Sequence, residues 1–413
     1  MILTCMEVEH PESKMANILF LTNRPPWPIE DGGALRVLNL AKEISNHHDC
    51  HLLYFSKNDD IRQCINNLGI FSTINTIPTS KEKKSWRRHL RFSEENYFQI
   101  SDPVGFYASV KEINNYIKTH QIDIVIAMGI YIAEYLDHLD NVKKVIDDCD
   151  CRTLSLEREF SVIRSKLSIT NKLKYIRDIK RIKAQESKLT KKYDLITTIS
   201  PADFDRIQKL NGTNGSPVIV IPNGVCNELL TANYNKPEIP NAIAFWGNLS
   251  FPPNRSAIEY FCEHIYVPFL QPHGIKWYVI GKNPGDLLIE RATQYKEIFL
   301  TGFVEDLFDL VSTIPVMVNP MIMGSGLKNK VLEAFILSRS VVSTQMGIES
   351  LPVTHNEHCL IAESSEQFAE HVIDLLKNTD KRTALGQSAK ELVMINYTWS
   401  QVGQKFNRIL ESI

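Results

Sequence analysis

Short unbroken runs of apolar residues alternate along this chain with segments whose apolar positions recur every three or four residues. The first run is 17–22 (NILFLT); a polar loop, NRPPWPIEDGG, follows, and then Leu35, Leu38, Ala41 and Ile44 at helical spacing. Similar runs fall at 51–55, 122–127 (IDIVIA), 144–146, 195–199 (LITTI) and 218–221 (VIVI), with a long basic helical region before LITTI. Apolar runs without polar alternation suit strands buried on both faces, so the pattern predicts a parallel sheet covered by helices. A polar stretch, 227–241 (NELLTANYNKPEIPN), interrupts it. The pattern then restarts at 242–246 (AIAFW), with a helix from about Ser256, strands at 277–280, 298–300, 315–318 and 341–344, and a closing amphipathic helix at 399–410. The predicted fold is α/β, with two Rossmann-like, doubly wound domains at 15–226 and 242–396, a linker at 227–241 and a terminal segment at 397–413. Such domains hold ligands in the cleft at the carboxyl ends of their strands.

Length agrees, since 413 residues are too many for one ordinary core. A formal net charge of −2 gives the whole chain no attraction to nucleic acid, and no nucleic-acid partner is expected. Locally the balance differs: between Arg152 and Lys192 thirteen Lys and Arg face four acids, and 81–91 reads KEKKSWRRHLR, around Trp86. These basic stretches are either solvated helix faces or contacts with an anionic membrane surface. No apolar run approaches the length of a membrane span, and the first sixteen residues lack the apolar core of a secretion signal. The eight cysteines are scattered; the closest pair, Cys149 and Cys151, is read as free thiols rather than metal ligands. A cytoplasmic protein is expected, peripheral at the inner face of the plasma membrane if the basic stretches bind it.

The candidate chemistry concentrates in 321–352, MIMGSGLKNKVLEAFILSRSVVSTQMGIESLP. Gly324, Ser325 and Gly326 form a loop that backbone flexibility lets approach a ligand, and the helix expected after it offers unpaired N–H groups to an anion. Glu333 is a carboxylate inside the apolar run VLEAFIL and needs a partner there. Lys330, three residues earlier, either pairs with it, for about 0.2–0.5 kcal/mol, or takes a phosphate while Glu333 takes ribose hydroxyls. Asp31, Gly32 and Gly33 lie between the first strand and helix, without the G-x-G-x-x-G spacing of a dinucleotide site. Gly247 and Asn248 end the strand AIAFW. Arg255, at the next helix start, is either a diphosphate ligand or a solvated residue. Gly302, Phe303 and Val304 end a later strand where backbone could meet a base.

In order along the chain, DGG (31–33), TISPAD (198–203), IPNGV (221–225), FWGNLSFPPN (245–254), TGFVED (301–306), GSGLKNKVLEAF, SVVST, GIE and NYTW resemble the GT-B fold glycosyltransferases of family 4, or group 1. The resemblance covers nearly the whole chain and implies retaining hexosyl transfer from a nucleotide-diphosphate sugar, UDP- or GDP-linked, to a glycan or lipid-linked glycan in cell-surface polysaccharide synthesis. It implies a C-terminal helix crossing back to the N-terminal domain, and neither cofactor nor metal. By position, Glu333 would hold ribose. Lys330, with Lys328 as the second choice, would hold the diphosphate, and Gly324 to Leu327 would approach it. Gly302 to Val304 would meet the base, and Gly33 would face the phosphate or transferred sugar.

The chain departs from the pattern in three places. Ser325 stands where the family has the first of two glutamates, Asn254 and Arg255 replace an Arg/Lys pair, and Met128-Gly129 replace an acceptor-side histidine. Asp147, Asp148 and Asp150 fall where a related subgroup has acceptor-site acids; a solvated acidic loop is the other reading. The alternative functions are an epimerase or phosphorylase on the same fold, or a non-catalytic sugar-nucleotide-binding subunit.

Overall fold

The computed structural model describes residues 16–29, 31–56, 61–78, 97–165, 167–231, 234 and 236–413. The basic run 81–91 with Trp86, Lys166 and the side chain of Asp148 lie outside the described residues.

Two parallel sheets organise the chain. The first contains β1 (Asn17–Thr22), β2 (Asp49–Ser56), β3 (Thr73–Pro78), β4 (Ile124–Met128), β5 (Lys143–Cys149), β6 (Leu195–Thr198) and β7 (Val218–Val220), in the order β3-β2-β1-β4-β5-β6-β7. The second contains β8 (Ala242–Trp246), β9 (Lys276–Ile280), β10 (Ile298–Gly302), β11 (Val316–Asn319), β12 (Ser340–Thr344) and β13 (Leu360–Ala362), in the order β10-β9-β8-β11-β12-β13. Helices separate the strands in sequence, as parallel pairing requires. The unbroken apolar runs are the central strands: β8 is buried at every residue, and so is β1 after Asn17.

In each sheet the strand order reverses beside its first strand, between β1 and β4 and between β8 and β11. These switch points open a crevice at the carboxyl ends of the strands, where an open α/β sheet takes its ligand. Gly33 and Met128-Gly129 follow the first pair; Gly247 and Gly324 to Gly326 follow the second.

The helix Trp399–Leu410 buries Trp399, Val402, Phe406 and Leu410 in one apolar cluster with Val37, Leu40, Ala41 and Ile44 of the helix Gly32–Ile44. Its period-3.6 apolar stripe therefore closes on the N-terminal domain, each large side chain contributing about 1.5–3 kcal/mol of burial. Gly403 permits the approach, because a Cβ there would lie 2.3 Å from Cβ of Glu43.

Two strands escaped the hydrophobic pattern, both at sheet edges: β3, TINTIP, is partly polar, and β13, LIA, is only three residues long. The stretch expected as a linker contains the helix Asn227–Thr231. The basic region before β6 is three helices, Arg152–Ile163, Ile169–Glu186 and Leu189–Lys192. No helix among the described residues is long and apolar enough to cross a membrane.

Candidate functional site

The helix Asn329–Ile336 starts the constellation. Val331, Leu332, Ala334, Phe335 and Ile336 are buried, which fixes Lys330 and Glu333 on the remaining face. Glu333 Oε2 accepts the indole N–H of Trp246, the last residue of β8, at 2.7 Å. Burial raises the Glu333 carboxyl above the usual range, while the Trp246 bond and the Lys330 charge pull it down. Lys330 Nζ donates to Asn254 Oδ1 at 2.7 Å and stands 3.9 Å from the centre of the Phe245 ring. Its burial drives the ammonium down to about 7, against the opposing charge of Glu333. The two side chains thus take separate partners, and no ion pair joins them among the described residues. Trp246 carried a signal in the sequence: a buried indole N–H seeks an acceptor.

The Gly-Ser-Gly loop departs from expectation in how its lysine is used. Lys328 is the N-cap residue rather than a helical one, and its Nζ curls back to the carbonyls of Ser325 at 2.7 Å and Gly326 at 3.0 Å. Burial lowers its pKa, partly offset by Asp150, Glu349 and Asp203. Lys328 therefore stiffens the loop from behind, which leaves Lys330 as the cation beside Glu333. Gly324 and Gly326 adopt φ of 111° and 71°, open to glycine at no steric cost. A Cβ on Gly326 would lie 1.8 Å from Oδ1 of Asp150, so the N-terminal domain reaches the loop directly. Burial raises the Asp150 carboxyl, with Lys328, Arg152 and Arg36 pulling it down. Asp203, fully buried, is pushed up to about 7 by burial and by Asp150, although it accepts from Cys151 N at 3.0 Å.

Arg158, on the N-terminal domain's helix Arg152–Ile163, crosses to the same loop. Its Nη1 donates to the Gly324 carbonyl at 2.9 Å, and its two terminal nitrogens grip Glu349 at 2.5 and 2.9 Å. Neither residue had a role assigned from the sequence: Glu349 stood only as the end of the GIE motif and Arg158 only as one of thirteen basic residues. A cation alone in a basic helix carries no mark of its partner.

On the opposite wall, Asp31 caps the helix Gly32–Ile44 by accepting from Ala34 N at 3.0 Å, and it pairs with Arg24. Partial burial raises its carboxyl, and the bonds from Arg24 and Ala34 outweigh this and lower it. A Cβ on Gly32 would be 3.4 Å from Asn329 Nδ2, and Asn223 Nδ2 donates to Asn329 Oδ1 at 3.1 Å. The DGG turn thus faces the start of the helix that carries Lys330 and Glu333. Gly33, Arg24, Val37, Met128 and Gly129 line a cavity of about 200 Å³ beside it. Asp147 is not part of a solvated loop: it is wholly buried and takes Arg36 at 2.6 and 2.8 Å and Thr197 at 2.6 Å.

The remaining candidates divide. Gly247 adopts a φ of 144° that disfavours side chains, and a Cβ there would sit tightly at 3.1 Å from Asn254 Nδ2 and 3.3 Å from Lys330 Nζ. The Asn248 carbonyl accepts from Asn254 Nδ2 at 2.8 Å. Arg255 is half-buried at the helix start, where Nε donates to the carbonyl of Leu249 and Nη2 to that of Asn283. Gly302 (φ 68°) accepts from Gly281 N, Val304 packs on the core, and Phe303 projects at 69 % exposure with Lys282 Nζ 4.6 Å from its ring centre. Leu327 is buried, whereas Ser325 is half-buried in the loop. Among the described residues no group of three or more His, Cys, Asp or Glu is placed to hold a metal ion.

Residues 240–378 match the family model of glycosyl transferases group 1. Along 94 % of its length the chain is 20 % identical to an uncharacterized 44.6 kDa protein in the cps region of Klebsiella pneumoniae, covering 98 % of that protein. Two solved structures share the architecture. Anabaena HepE, solved with UDP, aligns over 96 % of this chain and all of its own at a TM-score of 0.66 and 12 % identity. S. aureus TarM, solved as a point mutant with UDP and saccharides, aligns over 96 % of this chain and 99 % of its own at 0.68 and 11 %. The chain has the GT-B glycosyltransferase fold along its length, and its C-terminal domain carries the sequence signature of the group 1 glycosyl transferases.

Proposed function

We propose that this chain transfers a hexosyl group from a nucleotide-diphosphate sugar to a glycan or lipid-linked glycan, with retention, in cell-surface polysaccharide synthesis. The observation that carries the proposal is the convergence of Glu333, Lys330 and the Gly324–Gly326 backbone at one switch point, facing the DGG turn of the other domain. Glu333, held through Oε2 by Trp246, keeps Oε1 for ribose hydroxyls. Lys330 meets the diphosphate and stabilises the charge that develops as the nucleoside diphosphate departs, a task a divalent metal performs in other transferases. Phe303 and the backbone of Gly302 to Val304 take the base. Gly33 faces the transferred sugar, and the cavity at Met128-Gly129 takes the acceptor. A lipid-linked acceptor would place the enzyme at the inner face of the membrane.

A thermal-shift panel of UDP, GDP, ADP and their sugar conjugates tests the donor side, because a ligand of the native state raises apparent stability by mass action. One base is expected to stand out, and Glu333→Ala is expected to abolish its shift. A flat panel at millimolar ligand, or an unchanged Glu333→Ala response, would defeat the assignment.

A further inference from the structure

The helix Ile169–Glu186 carries apolar side chains on the wrong side for a core. Ile169, Leu173 and Ile176 are 76 %, 62 % and 39 % exposed. Their spacing of four and three residues sets them in one stripe along the helix. None of the residues Ile169 to Lys180 is buried, and burial begins only at Arg181. The inward face of this segment is already served: Tyr175 stacks on Phe160 at 5.8 Å between ring centres and donates to Glu159 Oε1 at 2.8 Å, both on the neighbouring helix Arg152–Ile163. The hairpin of these two helices thus packs on itself and leaves its outer apolar stripe unpartnered.

The charges beside the stripe say what covers it. Helical spacing sets Lys180 and Lys183 in line with the stripe and Lys172 and Arg177 on its flanks. Asp178, the one acid between Arg164 and Lys183, lies on the far side from Leu173 and pairs with Arg177 there. Lys172, Lys180 and Lys183 enter no ion pair among the described residues. A protein partner helix would be met by a mixed charge pattern, and a second copy of this chain would set lysine against lysine. An apolar strip with a one-signed basic border is the pattern of a helix lying in the plane of an anionic bilayer, side chains in the acyl boundary and ammonium groups among the headgroups.

We propose that Ile169, Leu173 and Ile176, bordered by Lys172, Arg177, Lys180 and Lys183, are the edge by which this protein docks on an anionic lipid surface. This deepens the membrane part of the proposed function and rests on it only for its purpose. The stripe belongs to the N-terminal domain, on the helix next to the one that carries Arg158 to the Gly324 loop. Docking there brings the acceptor domain to the headgroups while the donor domain stays in water.

Flotation of the full chain with vesicles of three parts phosphatidylcholine to one part phosphatidylglycerol tests it. The wild type is expected to float, to bind at least tenfold less to pure phosphatidylcholine, and to lose binding as salt is raised. Ile169→Glu/Leu173→Glu, both exposed and so compatible with folding, is expected to cut binding at least tenfold while leaving the nucleoside diphosphate thermal shift unchanged. That unchanged shift separates failure of docking from failure of the donor assignment. Wild type that does not float overturns the proposal. So does binding indifferent to the double substitution, or a concentration-dependent dimer that the same substitution abolishes.

Discussion

Trp246 closes β8 on the carboxylate it serves: its indole N–H reaches Oε2 of Glu333 at 2.7 Å, from a residue only 2 % exposed. The bond fixes one oxygen of a carboxylate otherwise set among apolar side chains. Trp246→Phe keeps most of the ring volume and removes the donor. Leaving a buried charged acceptor short of a partner costs about 1–3 kcal/mol, which chemical denaturation would read. Nucleoside diphosphate affinity, measured by calorimetry, is expected to fall several-fold, because the carboxylate is then free to rotate. An unchanged affinity would make Trp246 a packing residue only.

Lys330 has its ammonium held at about 7 by burial in the empty protein. A bound diphosphate favours the charged form, so the pKa rises on binding and a proton is taken up. Affinity is therefore greatest below about pH 7 and weakens as pH rises, approaching tenfold per unit until the raised pKa is passed. Stability of the empty protein runs the other way. Between about 7 and the ordinary lysine value the unfolded chain binds the proton and the folded chain does not, so stability increases with pH. Lys330→Met should flatten both profiles, with proton uptake measured by calorimetry in buffers of different ionisation enthalpy.

Arg36 and Asp147 form a wholly buried pair, 1 % and 0 % exposed, tied further to Thr197 and Asn223. Removing one partner strands the other charge. Arg36→Met is expected to cost about 3–5 kcal/mol, and Arg36→Met/Asp147→Leu markedly less. Urea unfolding of the two variants decides this, and equal losses would mean that the pair is not what matters.

The central strands were legible because burial on both faces writes an unbroken apolar run too short for a helix of ordinary length. The edge strand β3 was not, since a strand with one neighbour tolerates polar residues such as Thr73, Asn75 and Thr76, and β13 was not because three residues, LIA, are too few to stand out as a run. At the site, positions tied to backbone geometry could be read: Gly324 and Gly326 at positive φ, and the apolar run that isolates Glu333. The roles of cations could not. Lys328, Arg158 and Arg255 are all plausible phosphate ligands in a sequence, yet carbonyl oxygens hold Lys328 and Arg255, and Glu349 holds Arg158. A long flexible cation takes whichever acceptor the tertiary fold sets near it, and local sequence does not encode that choice.

The Arg158–Glu349 pair joins the two domains at the Gly324–Gly326 loop, its side chains 22 % and 20 % exposed. Arg158→Ala and Glu349→Gln are each expected to raise the KM for the donor and to lower kcat, since Arg158 also holds the Gly324 carbonyl. A double-mutant cycle on kcat/KM should show a coupling of about 0.5–3 kcal/mol. Strict additivity would sever the pair from the loop's geometry.

Gly326 gives the sharpest steric test. A methyl group there would meet Oδ1 of Asp150 at 1.8 Å and would also have to sit at φ 71°. The backbone cost alone is about 1–3 kcal/mol. The clash adds to it by pushing Asp150, and with it the N-terminal domain, away from the loop. Gly326→Ala is therefore expected to lower both melting temperature and activity. Shortening the opposing side chain separates the two causes: Gly326→Ala/Asp150→Gly should recover the steric part and keep the backbone part. If the double variant is no better than the single one, the loop is constrained by its own backbone and not by contact with Asp150.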